Sequence, residues 1–339
     1  MDELVGEVLA DQEAWFVGGA VRDELLGRPL IDVDVVCADP QAAARRYARR
    51  SGGAPFPLSE KHSSWRVVLP AGRTVDFTLV HGTIEADLAR RDFTINAIAI
   101  PVGGGEPVDP SGGREDLQLR LVRAVSESIF VDDPLRLVRA ARHEDELGFR
   151  LAPLTEQLVR SEAARVTEAA GERLLTELER MTAAGFRRLD ELGLLAPLGG
   201  RVDERLERVD APRYRLVAVF GENLRRLPVS NEVKRYARAL LRAEKPANGS
   251  ARELHRFRRA TEPWGLDALA FMGAEELAAA LEEARAAEPA EPLVRGDELG
   301  LPPGPEIGRM LERIEEERAA GTISTREEAL ELARREAVS

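Results

Sequence analysis

The chain has a single cysteine, three lysines and no apolar run that approaches membrane-spanning length. One thiol excludes an internal disulfide, and Cys37 lies among valines, where it reads as a small buried hydrophobe rather than a reactive group. The missing apolar run excludes a transmembrane helix. The N-terminus, MDELVGEVLADQEAW, is acidic and resembles neither a signal nor a transit peptide, so the expectation is a soluble cytoplasmic protein with no membrane partner. Fixed-period repeats and low-complexity tracts are also missing. With so little lysine, nearly all positive charge is arginine, which genome composition and phosphate recognition explain equally well.

What is present is enough for substantial cores. A chain of 339 residues, 44% hydrophobic, predicts two or more folded units and excludes disorder. The formal net charge of −12 speaks against a polyanionic partner. Its distribution speaks differently. Residues 231–260 carry nine Lys/Arg against three Glu, net +6, whereas residues 275–339 carry eight Arg against seventeen acids, net −9. A charge run is commonly a solvated helix face. Basic residues beside aromatics, as in KRYARALLR and LHRFRRA, are also what a surface that tracks an RNA backbone needs.

Periodicity divides the chain in two. AWFVGG and LIDVDVVC read as strands around a helix AVRDELLG, and WRVVLP and TVDFTLV read as a hairpin across AGR. Beyond about Ser126 strand signals vanish and helical spacing takes over, punctuated by Pro and Gly. The segment AEELAAALEEARAAEPAEP reads as an exposed helix and then a linker. The expected organisation is an α/β head to about residue 125 and a long helical remainder.

The head concentrates polar chemistry. Alternate residues of a strand share a face, so Asp32 and Asp34 project together while Val33 and Val35 pack behind them. Two such carboxylates repel unless a cation lies between them, and hard oxygen donors suit Mg²⁺. Just upstream, Gly18 and Gly19 end a strand and open a helix, which brings backbone N–H groups to the positive end of the helix dipole, where a phosphate can bind. Arg22 follows one turn later and can clamp the same anion. A third strand-borne carboxylate, Asp76 in TVDFT, would complete a two-metal cage if its strand lies beside the first.

The order VGGAVRDELLGR…DVDVV, DLARRDFTINAIAI, VDPSGGREDLQ and FVDDPLRLVRAARHEDELGF resembles the bacterial-type (class II) tRNA nucleotidyltransferase and poly(A) polymerase family. The likeness continues through GERLLTELERM to PLVRGDELGLPPGPEIGRMLERIEEERAAGTISTREEAL, which is similar to the tail of CCA-adding enzymes. It implies an α+β fold. An N-terminal nucleotidyltransferase head with a small mixed β-sheet (1–125) would precede an elongated all-helical neck (126–195), body (196–270) and tail (271–339). It implies addition of C and/or A to the 3′ end of tRNA from CTP or ATP, with tRNA as partner and Mg²⁺ as cofactor. A poly(A) polymerase, or a tRNA-binding module without catalysis, shares parts of the same pattern.

The resemblance also distributes roles. Asp32 and Asp34 would hold Mg²⁺, and Gly19 and Arg22 would contact the nucleotide. Arg90, Arg91, Asp92 and Asn96 match the ribose- and phosphate-binding motif, although an Arg-Arg-Asp cluster at a helix end is also an ordinary ion-pair network. In DDPLRLVRAAR, Asp133 and Arg136 inherit base reading, since a carboxylate and a guanidinium one turn apart present acceptor and donors together. Arg139 and Arg142 drift around the helix and are assigned to phosphate or to fixing the reader pair. Lys234, Arg235, Arg238, Arg242, Arg256, Arg258 and Arg259 would meet tRNA phosphates, and the helix start at PPGPEIG would accept one more.

Two departures stand out. Most relatives carry an aromatic after the last arginine of that motif, whereas here His143 follows it in RHEDELGF, either substituting for the ring or making a polar contact. In many CCA-adding relatives a long flexible loop precedes RRD; here only LVHGTIEADLA intervenes, with Val80 and His81 where an arginine is expected. A short loop is what CC-adding members look like, and it leaves the choice between CC and CCA open.

Overall fold

The computed structural model describes residues 1–59, 63–70 and 72–337, so Ala71 of the expected AGR turn lies outside the described residues. The chain forms two compact units, Met1–Leu198 and Gly199–Ser339. No helix among the described residues is long and apolar enough to cross a membrane.

The first unit is built on six strands: β1 (Ala14–Val17), β2 (Asp32–Cys37), β3 (Ala54–Ser59), β4 (Ser64–Val68), β5 (Thr74–Leu79) and β6 (Ala99–Pro101). They form one mixed sheet in the order β3-β4-β5-β2-β1-β6, with β2 and β5 parallel and the other neighbours antiparallel. A parallel pair needs a long crossover. That crossover contains the helix Pro40–Ser51, started by an Asp39 cap that accepts from the Ala42 N–H and ended by Gly52 at φ 72°. This helix packs on β3, β4 and β5, where its Tyr47 ring meets Phe77 at 5.7 Å.

Alternation divides the faces. Val33, Val35, Val75 and Phe77 are fully buried on one side, and the opposite side carries Asp32, Asp34, Thr74 and Asp76. Farther along that second face Val36 is buried with Ile84 and Leu88 of the helix Ile84–Leu88. The polar end of the face is left for a site. Cys37 is buried and its thiol is pushed up to about 11 by burial, as the sequence suggests for an inert hydrophobe.

The structure adds elements that periodicity does not reveal. β3 is an exposed edge containing Pro55 and Pro57, which remove ladder donors and blunt the edge. A second sheet pairs Leu121–Val122 with Arg150–Leu151 in parallel, so one short strand does follow Ser126. The helix Leu135–Leu147 buries Leu135, Leu137, Val138, Ala140 and Ala141, packs on the helices Gly171–Glu179 and Ala183–Glu191, and ends at Gly148 with φ 66°.

The second unit is helical throughout, from Pro212–Phe220 to Arg326–Ala337. The expected helix near residue 280 spans Ala278–Ala286 and is anchored by the fully buried Leu281. Val294, Met310, Ile314, Ile323, Ala329, Leu332 and Ala333 form a separate core near the C-terminus.

Candidate active site

The register of the parallel β2–β5 pair sets Asp34 directly beside Asp76 and Asp32 beside Thr74, whose hydroxyl donates to Asp32 Oδ1 at 2.7 Å. Asp76 also has a partner that sequence reasoning did not include. Arg66, opposite it on β4, donates from Nε to Oδ1 and from Nη2 to Oδ2, each at 2.7 Å. Both Asp76 oxygens are therefore engaged, whereas Asp34 has no such counter-ion on its own strand. Burial pushes the Asp34 carboxyl up to about 6; Asp76 and Asp32 add repulsion, which Arg91 and Arg66 offset in part.

β1 turns into the helix Gly18–Leu25 directly at this carboxylate. Gly18 has φ 70°, and a Cβ there would meet Asp34 Oδ2 at 3.1 Å and Arg91 Nη1 at 3.2 Å. Only glycine combines that backbone with that approach. A cavity of about 670 Å³ opens beside it, lined by Gly18, Gly19 and Arg22, by Asp32 and Asp34, and by Arg91, Asp92 and Asn96. Arg139, Arg142 and His143 of the helix Leu135–Leu147 line it as well.

One hydrogen-bonded network fixes this lining. Arg22 forks onto Asp23 at 3.0 Å and donates from Nη1 to Asn96 Oδ1 at 2.9 Å. Asn96 in turn donates to Asp92 Oδ1 at 3.0 Å and reaches His143 Nε2 at 3.2 Å. Arg142 Nη2 lies at 3.2 Å from the same nitrogen. With two donors facing it, Nε2 is the unprotonated acceptor, so the proton resides on Nδ1. Burial, with Arg142 and Arg22 nearby, holds the imidazole well below its ordinary range, and it stays neutral. His143 therefore both fills the place of a ring and makes a polar contact: it stands edge-on to Phe93 at 5.5 Å, and its nitrogen ties the helix to Asn96.

Arg139 and Arg142 converge on Glu177 of the helix Gly171–Glu179, at 2.7 Å and 2.5 Å. Arg139 also faces Asp92 at 3.5 Å, and Arg142 pairs with Glu146. Asp133 and Arg136 do not line the cavity. Asp133 accepts from Arg173 Nη2 at 2.7 Å, and Arg136 donates to the Arg90 carbonyl at 2.9 Å. The Arg90 side chain is exposed and outside the cavity lining.

Residues 14–67 and 59–123 match a family described as the poly A polymerase head domain. An A-adding tRNA nucleotidyltransferase of Deinococcus radiodurans is 35% identical over 411 aligned positions, covering 93% of this chain and 94% of that protein. The chain belongs to the tRNA nucleotidyltransferase family. A CC-adding tRNA nucleotidyltransferase of Geobacter sulfurreducens is 47% identical over 171 residues, 50% of this chain and 40% of that relative. The solved structure of the Thermotoga maritima CCA-adding enzyme complexed with tRNA is similar with a TM-score of 0.74 at 25% identity, covering 98% of this chain and 94% of that one.

In this nucleotidyltransferase the cations expected to meet RNA fall into two groups. Lys234, Arg235, Arg238 and Arg242 are exposed on the helix Asn231–Arg242, and Arg259 is exposed on Ala251–Thr261. Arg258 is a correction. It is buried, pairs with Glu262 and Glu288, and donates to the Ala284 carbonyl at 2.9 Å, so it braces helices rather than facing solvent. Arg256 is tied to Glu316 at 2.6 Å. Glu316 and Glu317 also take Arg252 and Arg313, so part of the acidic tail neutralises part of the basic stretch.

Three partners escaped sequence reasoning: Arg66, Arg173 and Glu177. Each acts across a tertiary contact at a sequence separation of 10, 40 and 38 residues from Asp76, Asp133 and Arg139. The one available signal was Arg66 in WRVVLP, a lone charge on the strand of a hairpin, next to the buried Val67.

Proposed function

We propose that the protein adds C and/or A to the 3′ end of tRNA, taking CTP or ATP and releasing pyrophosphate. One observation carries the reading: Asp32 and Asp34 line a nucleotide-sized cavity together with a glycine turn, a helix start and several arginines. The relatives act on tRNA, one adding CC and another A, and this chain is similar to both. With no membrane-spanning helix among the described residues, cytoplasmic work on tRNA suits the chain.

The donor set fits Mg²⁺. It consists of hard carboxylate oxygens, and Asp34, raised to about 6 chiefly by burial and then by the charge of Asp76, is a carboxylate that a dication would keep ionised. Among the described residues no group of three or more His, Cys, Asp or Glu is arranged to hold an ion. The third carboxylate, Asp76, is paired with Arg66. Asp32 and Asp34 would hold the ion, and substrate phosphates would complete its shell. Bound there, Mg²⁺ would acidify the terminal 3′-hydroxyl and neutralise charge on the phosphates.

The chain's own groups supply position. The Gly18–Gly19 turn, Arg22 and Arg91 orient the triphosphate, and Asp92 and Asn96 receive the ribose. Asp133 and Arg136 select the base, Asp133 from a site where burial is outweighed by Arg173 and the carboxyl stays below its usual range, ionised and ready to accept. Arg139 and Arg142, locked by Glu177, keep the reader helix in place. The exposed cations of Asn231–Arg242, with Arg259, take tRNA phosphates.

The test is to incubate the purified protein with Mg²⁺, CTP, ATP or both, and tRNA ending either before the CCA or after CC, and to sequence the ends. Addition of C, A or both only at those ends is expected. Long A tails would favour a poly(A) polymerase, and no extension of either RNA would leave a binding module.

A further inference from the structure

The nucleotide cavity stops at β2. Asp32 and Asp34 line it, but the same row of side chains continues past it through Asp76 on β5 to Arg66 on β4. On the other flank, Val17 of β1 pairs with Asp34 and leads into the glycine turn. The row thus runs Arg66, Asp76, Asp34, Val17, with the triphosphate-binding groups at one end and a guanidinium at the other. Strands lie about 4.8 Å apart, so the Arg66 Cα starts about 10 Å from that of Asp34.

Arg66 is not consumed by its partner. It gives Nε and Nη2 to Asp76, leaves Nη1 without a partner among the described residues, and keeps a side chain 35% exposed. A part-buried ion pair that still reaches solvent adds little to stability. Its two-point geometry does something else, since a fork held at two atoms cannot swing. What it points its free edge toward follows from the chemistry. In phosphoryl transfer the attacking and leaving oxygens are in line. With pyrophosphate leaving on the glycine-turn flank, the attacking 3′-hydroxyl arrives from the flank of β5 and β4, and the phosphodiester just behind it arrives there too.

We propose that Arg66, held by Asp76, binds the last phosphodiester of the acceptor RNA and so delivers its terminal 3′-hydroxyl. The proposal rests on the transfer reading above. It gives Asp76 a positioning role beside the two aspartates of β2, and makes Arg66 a contact for the RNA and not for the nucleotide.

The test is a cycle between the protein and the phosphate. The full chain and its Arg66→Gln and Arg66→Lys variants are titrated with a tRNA acceptor-stem minihelix, with either a normal or a methylphosphonate linkage before its last nucleotide. The wild type should lose affinity about tenfold on the neutral linkage, the size of one charge-assisted contact. Arg66→Gln should bind the normal RNA about tenfold more weakly, show no further loss on the methylphosphonate, and keep its KM for CTP or ATP within about twofold. Arg66→Lys should recover part of the affinity, which a merely folded-state role for the fork would not predict. Equal losses in wild type and Arg66→Gln would overturn the proposal, as would a rise in nucleotide KM with RNA binding unchanged or failure of the wild type to bind the minihelix. Circular dichroism melts establish that each variant is folded. A wild type that binds the minihelix but never extends it sinks the transfer reading instead, while the cycle still decides on Arg66.

Discussion

Asp34→Asn is expected to abolish nucleotide transfer, by about 10³-fold or more, and at the same time to raise the thermal midpoint of the metal-free protein. Both effects come from one carboxylate. As a neutral group Asn cannot hold a dication opposite Asp32, and loss of several kcal/mol of charge stabilisation corresponds to that rate. In the free protein the sign reverses. The folded state raises this carboxyl from 3.8 to about 6, chiefly by burial and then by the charge of Asp76. The folded protein therefore binds the proton more tightly than the unfolded chain. The associated stability is fully present below about 4 and is lost as the pH rises through about 6. Above that, the ionised group costs about 2 kcal/mol, allowing for its partial exposure.

The substitution removes this cost. In EDTA at pH 7.5 the variant should melt several degrees higher than the wild type, and at pH 4 the difference should vanish. At limiting Mg²⁺, transfer by the wild type should fall as the pH drops below about 6, because the proton then competes with the ion for Asp34, and saturating Mg²⁺ should move that fall to lower pH. A variant that melts lower than the wild type at pH 7.5 would show that Asp34 braces the fold.

Asp133→Ala is expected to relax the choice of nucleotide more than it slows the reaction. Asp133 ends a short helical turn, is half-buried, and offers its oxygens at the start of the helix that carries Arg136. A site built to pair with the polar edge of a base rejects the wrong edge by leaving buried groups unmatched, and removing the acceptor removes that penalty. The ratio of kcat/KM for the preferred nucleotide over UTP should fall about 10–100-fold, with kcat for the preferred nucleotide falling less. Arg173 loses its partner in the variant, so Arg173→Ala serves as the control for a purely structural effect. An equal loss with every nucleotide would contradict a reading role.

Much of this site is visible in the sequence because its parts are local. The alternation in DVDVV places two aspartates on one face, and VGGAVRDELLG carries its turn and helix within a few residues. What crosses between elements is not visible. The parallel β2–β5 register that sets Asp34 beside Asp76 depends on a crossover of more than thirty residues. Arg258 looks identical in sequence to its neighbour Arg259, and only packing against Glu262 and Glu288 separates a buried brace from an exposed cation. His143 falls between these cases. Its place after Arg142 is legible, but its neutrality comes from burial and from the guanidinium groups around it.

The measurement that bears most directly on the account compares transfer from CTP with transfer from CTP carrying sulfur at the non-bridging α-phosphate position, in Mg²⁺ and in the softer Cd²⁺. If Asp32 and Asp34 grip a dication that touches the α-phosphate, one sulfur isomer should be slowed about 30-fold or more in Mg²⁺ and largely restored by Cd²⁺, and Asp34→Asn should show no restoration. The same slowing in both metals, or restoration that survives in Asp34→Asn, would contradict the account.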